Sequence, residues 1–247
     1  MSLDRPPSWQ AEIAFRMRRH LALKLIGTTA VIWIFFIGYF HLLRHVAYPV
    51  TVMPLTPLDG LVPIAPWAIV PYLTLWFYVG IAPGLQRTFV QLVVYGLWSA
   101  LLLVIGLGIF YRWPTMIPTF VFERSGYPGF DLLRGIDAPG NACPSMHVAF
   151  AMFTALWIDV LLRECRVPAP WRLVNALWFL AIAYSTIAIR QHVVLDAVAG
   201  AALGAAVAVP SIRWRPQTSL RLVAGDAPAM IEAPTRPDGI AGVARIR

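Results

Sequence analysis

Two histidines carry the chemistry this chain offers. One closes the stretch Pro144-Ser145-Met146-His147; the other follows Arg190-Gln191 and is itself followed, at a four-residue step, by Asp196. An imidazole can give or take a proton near neutral pH, or attack an electrophile through an unprotonated ring nitrogen. Residues four apart on a helix share a face, so the Asp196 carboxylate is expected to accept a hydrogen bond from one ring nitrogen of His192. That bond fixes the tautomer and leaves the other nitrogen available as nucleophile or ligand. At the first motif Pro144 suits the start of a helix and Ser145 an N-cap. The N–H groups of such a start, with the positive end of the helix dipole, favour an anion. His147 then stands in the first turn, placed to protonate an oxygen leaving phosphorus. Together these pieces read as a phosphate-handling site.

Composition decides where such a site sits. Of 247 residues, 59% are hydrophobic and only 13% charged, outside the range of a water-soluble domain. The chain is read as an all-α integral membrane protein. Its formal charge of +8 fits basic residues flanking apolar spans, which orient a membrane protein; no nucleic-acid recognition motif accompanies the basic clusters, so nucleic acid is not an expected partner. The two cysteines, Cys143 and Cys165, flank one apolar span, too far apart on a helix for a disulfide, and Cys143 reads as a space-filler rather than a nucleophile. No metal-ligand cluster is apparent, and no cofactor is expected.

The positioning elements follow from the apolar runs. Six spans are expected, over residues 25–43, 67–80, 91–110, 146–160, 173–189 and 193–209, the first of them long enough to cross a hydrocarbon core. Pro71 should kink the second. A short amphipathic helix over residues 9–18 reads as an interfacial anchor, and the proline-rich stretch 44–66 as a loop with re-entrant or interfacial pieces. The polar connection 111–143 is long enough to be a lid or binding element. The divisions are an N-terminal segment 1–20, a six-helix membrane domain 21–213 and a disordered tail 214–247. Gly200 and Gly204 in the last span let another helix approach closely.

With six spans both termini share a side. That side holds 15 of the 20 lysines and arginines and the opposite side 5, so the termini are expected in the cytoplasm and both histidine motifs at the periplasmic or extracellular face, in a bacterial inner membrane. Histidine and aspartate at the hydrocarbon boundary are costly unless paired or solvated, which favours a functional role for them. The same histidines could serve a phosphate-lipid transporter or flippase by relaying protons, the alternative reading.

The stretch Gly140-Asn141-Ala142-Cys143-Pro144-Ser145-Met146-His147 resembles the Pro-Ser-x-His signature of the type 2 phosphatidic acid phosphatase superfamily, and His192 with Asp196 resembles its His-x-x-x-Asp signature, with Gly200 in the usual following position. The run from Asp59 through Pro63 and Pro66 to Tyr72 is similar to the corresponding region of the branch containing inositol phosphorylceramide synthases. The resemblance implies a six-helix bundle in which His192 forms a phosphohistidine, Asp196 orients it, and His147 acts as general acid and then as base toward water or an acceptor alcohol. It implies a substrate-binding set of Ser145 with Asn141 and Pro144, a metal-independent reaction, and a membrane lipid bearing a phosphate or phosphodiester as substrate. Two departures stand out: the early Lys-x6-Arg-Pro motif is absent, and the positions of the usual Ser-Arg pair are held by Ser185 and Thr186. Arg190, two residues before His192, is the arginine expected to meet the phosphate charge instead.

Overall fold

In lipid a backbone N–H or C=O has no water to bond, so an apolar run must satisfy its own polar groups by becoming helical. The computed structural model describes residues 8–118 and 140–216, and the apolar runs within them are helices. In chain order these are α1 (Trp9–Arg18), α2 (Leu21–Arg44), α3 (Pro57–Leu61), α4 (Ile69–Gly84), α5 (Phe89–Arg112), α6 (Met146–Glu164), α7 (Ala169–Ala188) and α8 (Val194–Arg213), with a 3-10 turn at Pro66–Ala68 before α4. Six of the segments are long and apolar enough to cross a membrane. The protein is an all-α integral membrane bundle.

Two helices run on past their apolar runs. The α6 helix continues to Glu164 and α8 to Arg213. Pro71 falls in the first turn of α4, where N–H groups have no intrahelical acceptor in any case; the helix runs through it, and the interior proline of α4 is Pro83. The stretch 44–66 is not merely loop. It holds α3 and a strand, β1 (Thr51–Val52), paired in parallel with β2 (Thr115–Met116) in the register Thr51 to Thr115 and Val52 to Met116. The α1 helix occupies the expected residues but is more than an interfacial anchor. Its Arg16 is buried and bonds Glu12 Oε1 at 2.8 Å and Glu164 Oε2 at 3.2 Å, tying α1 to the end of α6.

The core lies along α6, whose Val148, Ala149, Ala151 and Phe153 are fully enclosed. The α7 helix returns the chain, and α8 then runs beside α6 in the same direction, closer than side chains would permit. A Cβ added at Gly200 would fall on the Ser145 carbonyl oxygen, and one at Gly204 on the Ala149 carbonyl oxygen. Both contacts advance by four residues, so one turn of each helix is matched to one turn of the other. Trp214, Arg215 and Pro216, assigned above to the tail, are held on the bundle: Arg215 bonds Glu164 Oε1 at 2.9 Å, and the Pro216 carbonyl accepts from Gln91 at 3.2 Å. Most of the connection 111–143 and the tail beyond residue 216 lie outside the described residues.

Gly200→Ala should cost about 1–3 kcal/mol through overpacking, lowering the thermal unfolding midpoint in detergent and the activity together. Gly108→Ala, where an added Cβ meets nothing within 4 Å, is the matched control and should be neutral or slightly stabilising.

Candidate active site

Each histidine is delivered by a separate backbone device. The first motif is laced to β2: the Cys143 N–H donates to Thr115 Oγ1 at 2.7 Å, the Ala142 N–H to the Thr115 carbonyl at 3.2 Å, and Gly140 bridges Met116. Ser145 is the N-cap of α6 as expected, its Oγ accepting from the Val148 N–H at 3.3 Å, and it is fully buried. Pro144 precedes the cap rather than opening the helix. The second motif leaves α7 through a tight reversal in which the Thr186 carbonyl accepts the N–H groups of both Gln191 and His192, each at 3.0 Å, while Arg190 takes a positive φ of 57°. The two devices are joined directly, since the Ser145 N–H donates to the Asp196 carbonyl at 2.9 Å.

The imidazoles therefore meet. His192 Nε2 lies 3.4 Å from His147 Nδ1, with ring centroids 5.6 Å apart. Asp196 Oδ2 stands 3.6 Å from His192 Nδ1, so the carboxylate lies behind the nitrogen remote from His147. The reason differs from the helical-face argument. His192 precedes α8 altogether; Asp196, in the third position of that helix, reaches back to accept the Val193 N–H at 3.1 Å, and this capping bond brings Oδ2 under the ring. At 3.6 Å the imidazole and carboxylate are in register but beyond a formed hydrogen bond, as is common before substrate tightens a site. His192 Nε2, facing the second histidine, is the nitrogen left for chemistry.

Two further contributions, from an aromatic pair and from an aspartate, were given no role at the site by the sequence. The Tyr72 hydroxyl lies 2.8 Å from His147 Nε2, and its ring packs on the imidazole with centroids 4.8 Å apart. Trp76, one turn on in α4, meets the same imidazole edge-on at 6.2 Å. The signal was present as an aromatic pair at a four-residue step, but nothing local says what it faces. Asp59 is the second. It is the lone acidic residue between positions 13 and 122, and it is buried. Its Oδ2 accepts from the Thr56 N–H and hydroxyl, both at 2.7 Å, and its Oδ1 from the Val194 N–H at 2.8 Å, which caps the start of α8. Burial by itself would raise the Asp59 carboxyl; the Thr56 hydroxyl and amide, the Val194 amide and the charge of Arg190 outweigh it and hold the group below the ordinary carboxylate value.

The remaining expected residues take these places. Arg190 donates from Nη1 to the Asp59 carbonyl at 3.1 Å and from Nη2 to the Val62 carbonyl at 2.9 Å, so two of its five donors bolt α3 to the His192 turn. Asn141 is buried at a positive φ of 53°, its side-chain amide donating to the Tyr39 carbonyl at 3.1 Å; that contact fixes the first motif to α2. Ser185 and Thr186 return their hydroxyls to the Ile182 and Ala183 carbonyls at 2.6 and 2.8 Å. Cys143 is buried beside Asp196, and burial followed by that negative charge pushes its thiol up to about 12, which makes it inert at neutral pH.

Two variants test this arrangement. Tyr72→Phe should lower turnover about tenfold, a fraction of a full proton-transfer contribution, with KM within about twofold, measured by steady-state kinetics. For Asp59 the folded value lies below the unfolded one, so its stabilisation is complete above about pH 4 and is lost as pH falls through the depressed folded value. Asp59→Asn should lower the thermal midpoint at neutral pH and flatten its fall at acid pH relative to the unaltered protein.

Comparison with known proteins agrees with the geometry. The sequence model of the PAP2 superfamily matches residues 92–219, a segment holding His147, His192 and Asp196 but not Asp59, Tyr72 or Trp76. No curated protein and no solved structure matches the chain. With the match spanning just over half of the sequence and both histidine motifs inside it, this chain belongs to the PAP2 superfamily.

Proposed function

We propose that the protein is a membrane enzyme that cleaves a phosphoester or pyrophosphate bond of a lipid through a phosphohistidine on His192. Membership in the PAP2 superfamily suggests phosphatase or phosphotransferase chemistry on a lipid phosphate. The observation that carries the finer reading is the line Asp196, His192, His147, in which a carboxylate backs one imidazole at 3.6 Å and the second imidazole stands 3.4 Å beyond it.

In the first step the His192 Nε2 lone pair forms a bond to phosphorus as the bond from phosphorus to the leaving oxygen breaks, and His147 gives that oxygen its proton. Positive charge developing on the His192 ring is met by Asp196 through Nδ1–H. In the second step His147 takes a proton from water or an acceptor alcohol, whose oxygen attacks phosphorus and releases the N–P bond. The same pair of groups thus serves as acid and then base, and what fills the acceptor position decides between hydrolysis and transfer. The absence of the early basic motif and the run from Asp59 to Tyr72 favour the inositol phosphorylceramide synthase-like outcome, with an alcohol as acceptor. Arg190, held by two carbonyls at the mouth of the site, supplies fixed positive charge toward the phosphoryl oxygens, with Ser145 at the helix start. In this reading the protein sits in a bacterial inner membrane, and the excess of basic residues on the terminal side supports cytoplasmic termini and an outward-facing site.

Rapid quenching of detergent-purified protein with radiolabelled lipid phosphate should trap an acid-labile, base-stable label on His192. His192→Ala should lose the label and all turnover. His147→Ala should lose about 10²–10⁴-fold in rate, and Asp196→Asn should retain the fold with a large loss of rate through the wrong tautomer. Turnover surviving in His192→Ala would overturn the covalent route. Addition of inositol, diacylglycerol or ceramide to the same reaction reads out the acceptor.

A further inference from the structure

A cavity of about 380 Å³ lies between α2, α4, α5 and the first turn of α6. His147 and Met146 border one end; Leu23 and Lys24 border the other. On α2 its wall runs from Leu23 to Phe35, about 18 Å along the helix axis at 1.5 Å per residue. A volume of about 380 Å³ over that length averages a cross-section of about 20 Å², which matches the girth of one hydrocarbon chain.

The walls offer a polar guest almost nothing. Ser99 Oγ is turned to the Tyr95 carbonyl at 3.0 Å. The Lys24 ammonium donates to the carbonyls of Arg16, Gly84 and Gln86 at 2.6, 2.7 and 2.9 Å, so its three donors are spent. A row of waters would need two to four polar partners each, and these side chains do not supply them. Two glycines, Gly27 and Gly96, border the space, and a Cβ added at either meets no atom within 4 Å. Backbone packing demands Gly200 and Gly204; it does not demand these two. Glycine inside a helix costs about 1 kcal/mol relative to alanine, and what its presence preserves here is room.

We infer that this cavity holds a single hydrocarbon chain of the phosphate-bearing lipid, extended from the imidazole pair across the bundle toward Lys24. The inference rests on the phosphotransfer reading above for the placement of the phosphate, and it adds that the anchor is one linear chain of about a dozen methylenes, taking each as about the 30 Å³ of a water molecule. Bilayer tails are as apolar as these walls, so burial in the cavity gains little over the membrane itself. Selection must come from shape, and chain length is the quantity that shape reads.

The test uses purified full-length protein and single-chain alkyl phosphates of six to sixteen carbons, together with a dodecyl phosphate bearing a photoreactive group at its last carbon. For the unaltered protein kcat/KM should rise with length and level off near about twelve carbons. Gly96→Leu and, independently, Gly27→Leu should lower kcat/KM for the tetradecyl ester by about tenfold or more, the scale on which an apolar pocket reads added bulk, while leaving the hexyl ester within about twofold. Each variant is accepted only with an unchanged thermal midpoint, and Gly96→Ala serves as the milder second substitution. The photoprobe should label Leu23 or Leu92 on the cavity wall and lose that label in Gly96→Leu. Labelling of outward residues such as Leu97 or Val104, or an unshifted length profile in both leucine variants, overturns the inference. If no ester releases phosphate and His192 takes no label, the phosphotransfer reading fails, and the photolabelling map still decides the chain site by itself.

Discussion

The close approach of two backbones, α6 against α8, is the constraint from which the rest of the site follows. Lipid supplies no hydrophobic pressure to drive helices together, so intimacy must come from packing and from hydrogen bonds between main chains. Gly200 and Gly204 remove the side chains that would hold the helices apart, leaving each glycine against a carbonyl of α6. The Ser145 N–H then bonds the Asp196 carbonyl at 2.9 Å. That single bond joins the cap of one helix to the first turn of the other, so His147, two residues past the cap, and His192, one residue before the α8 cap, have little freedom in where they meet.

Among the described residues, three charged side chains close the ends of helices. A helix leaves four donors at its start and four acceptors at its finish, and near the hydrocarbon boundary those groups cannot count on water. Lys24 answers carbonyls at the end of α4 and in α1; Arg190 answers two around α3; the Asp59 carboxylate answers the Val194 N–H at the start of α8. Each of these side chains caps an element other than its own. Asp59 and Arg190 are further coupled, because the arginine grips the carbonyl of the residue whose carboxylate caps α8. Loss of either loosens the turn that carries His192.

Much of this was legible in the sequence, and the boundary of legibility is physical. The six helices could be read because an apolar run of span length has few alternatives to helix in lipid. The meeting of the two histidines could be read because their motifs fall at the starts of helices that topology returns to one side. The role of Pro71 was misread because a proline in a first turn costs nothing, and the position of that turn depends on the 3-10 segment before it. Tyr72 and Asp59 stayed hidden because their partners, His147 and Val194, lie 75 and 135 residues away, and nothing local in either residue announces a distant contact. For Asp196 the expected proximity to His192 holds while the reason for it changes, from a shared helical face to a capping bond that folds the carboxylate back.

The closed state of the imidazole pair also bears on which ring must move. At 3.4 Å between Nε2 and Nδ1 no phosphorus with its oxygens fits between them, so one ring has to yield before chemistry. His192 is buried, its N–H is fixed to the Thr186 carbonyl, and Asp196 stands behind its ring. His147 is only half-buried and borders the cavity between α2, α4 and α5, so rotation about its side-chain torsions has somewhere to go. His192 is therefore the fixed member of the pair and His147 the adjustable one, and Tyr72, whose hydroxyl lies 2.8 Å from His147 Nε2, sets the position from which His147 starts. Under the proposed two-step reaction this division is useful: the phosphoryl group arrives at and departs from the same nitrogen, while the proton-transferring group must reach first a leaving oxygen and then an incoming one.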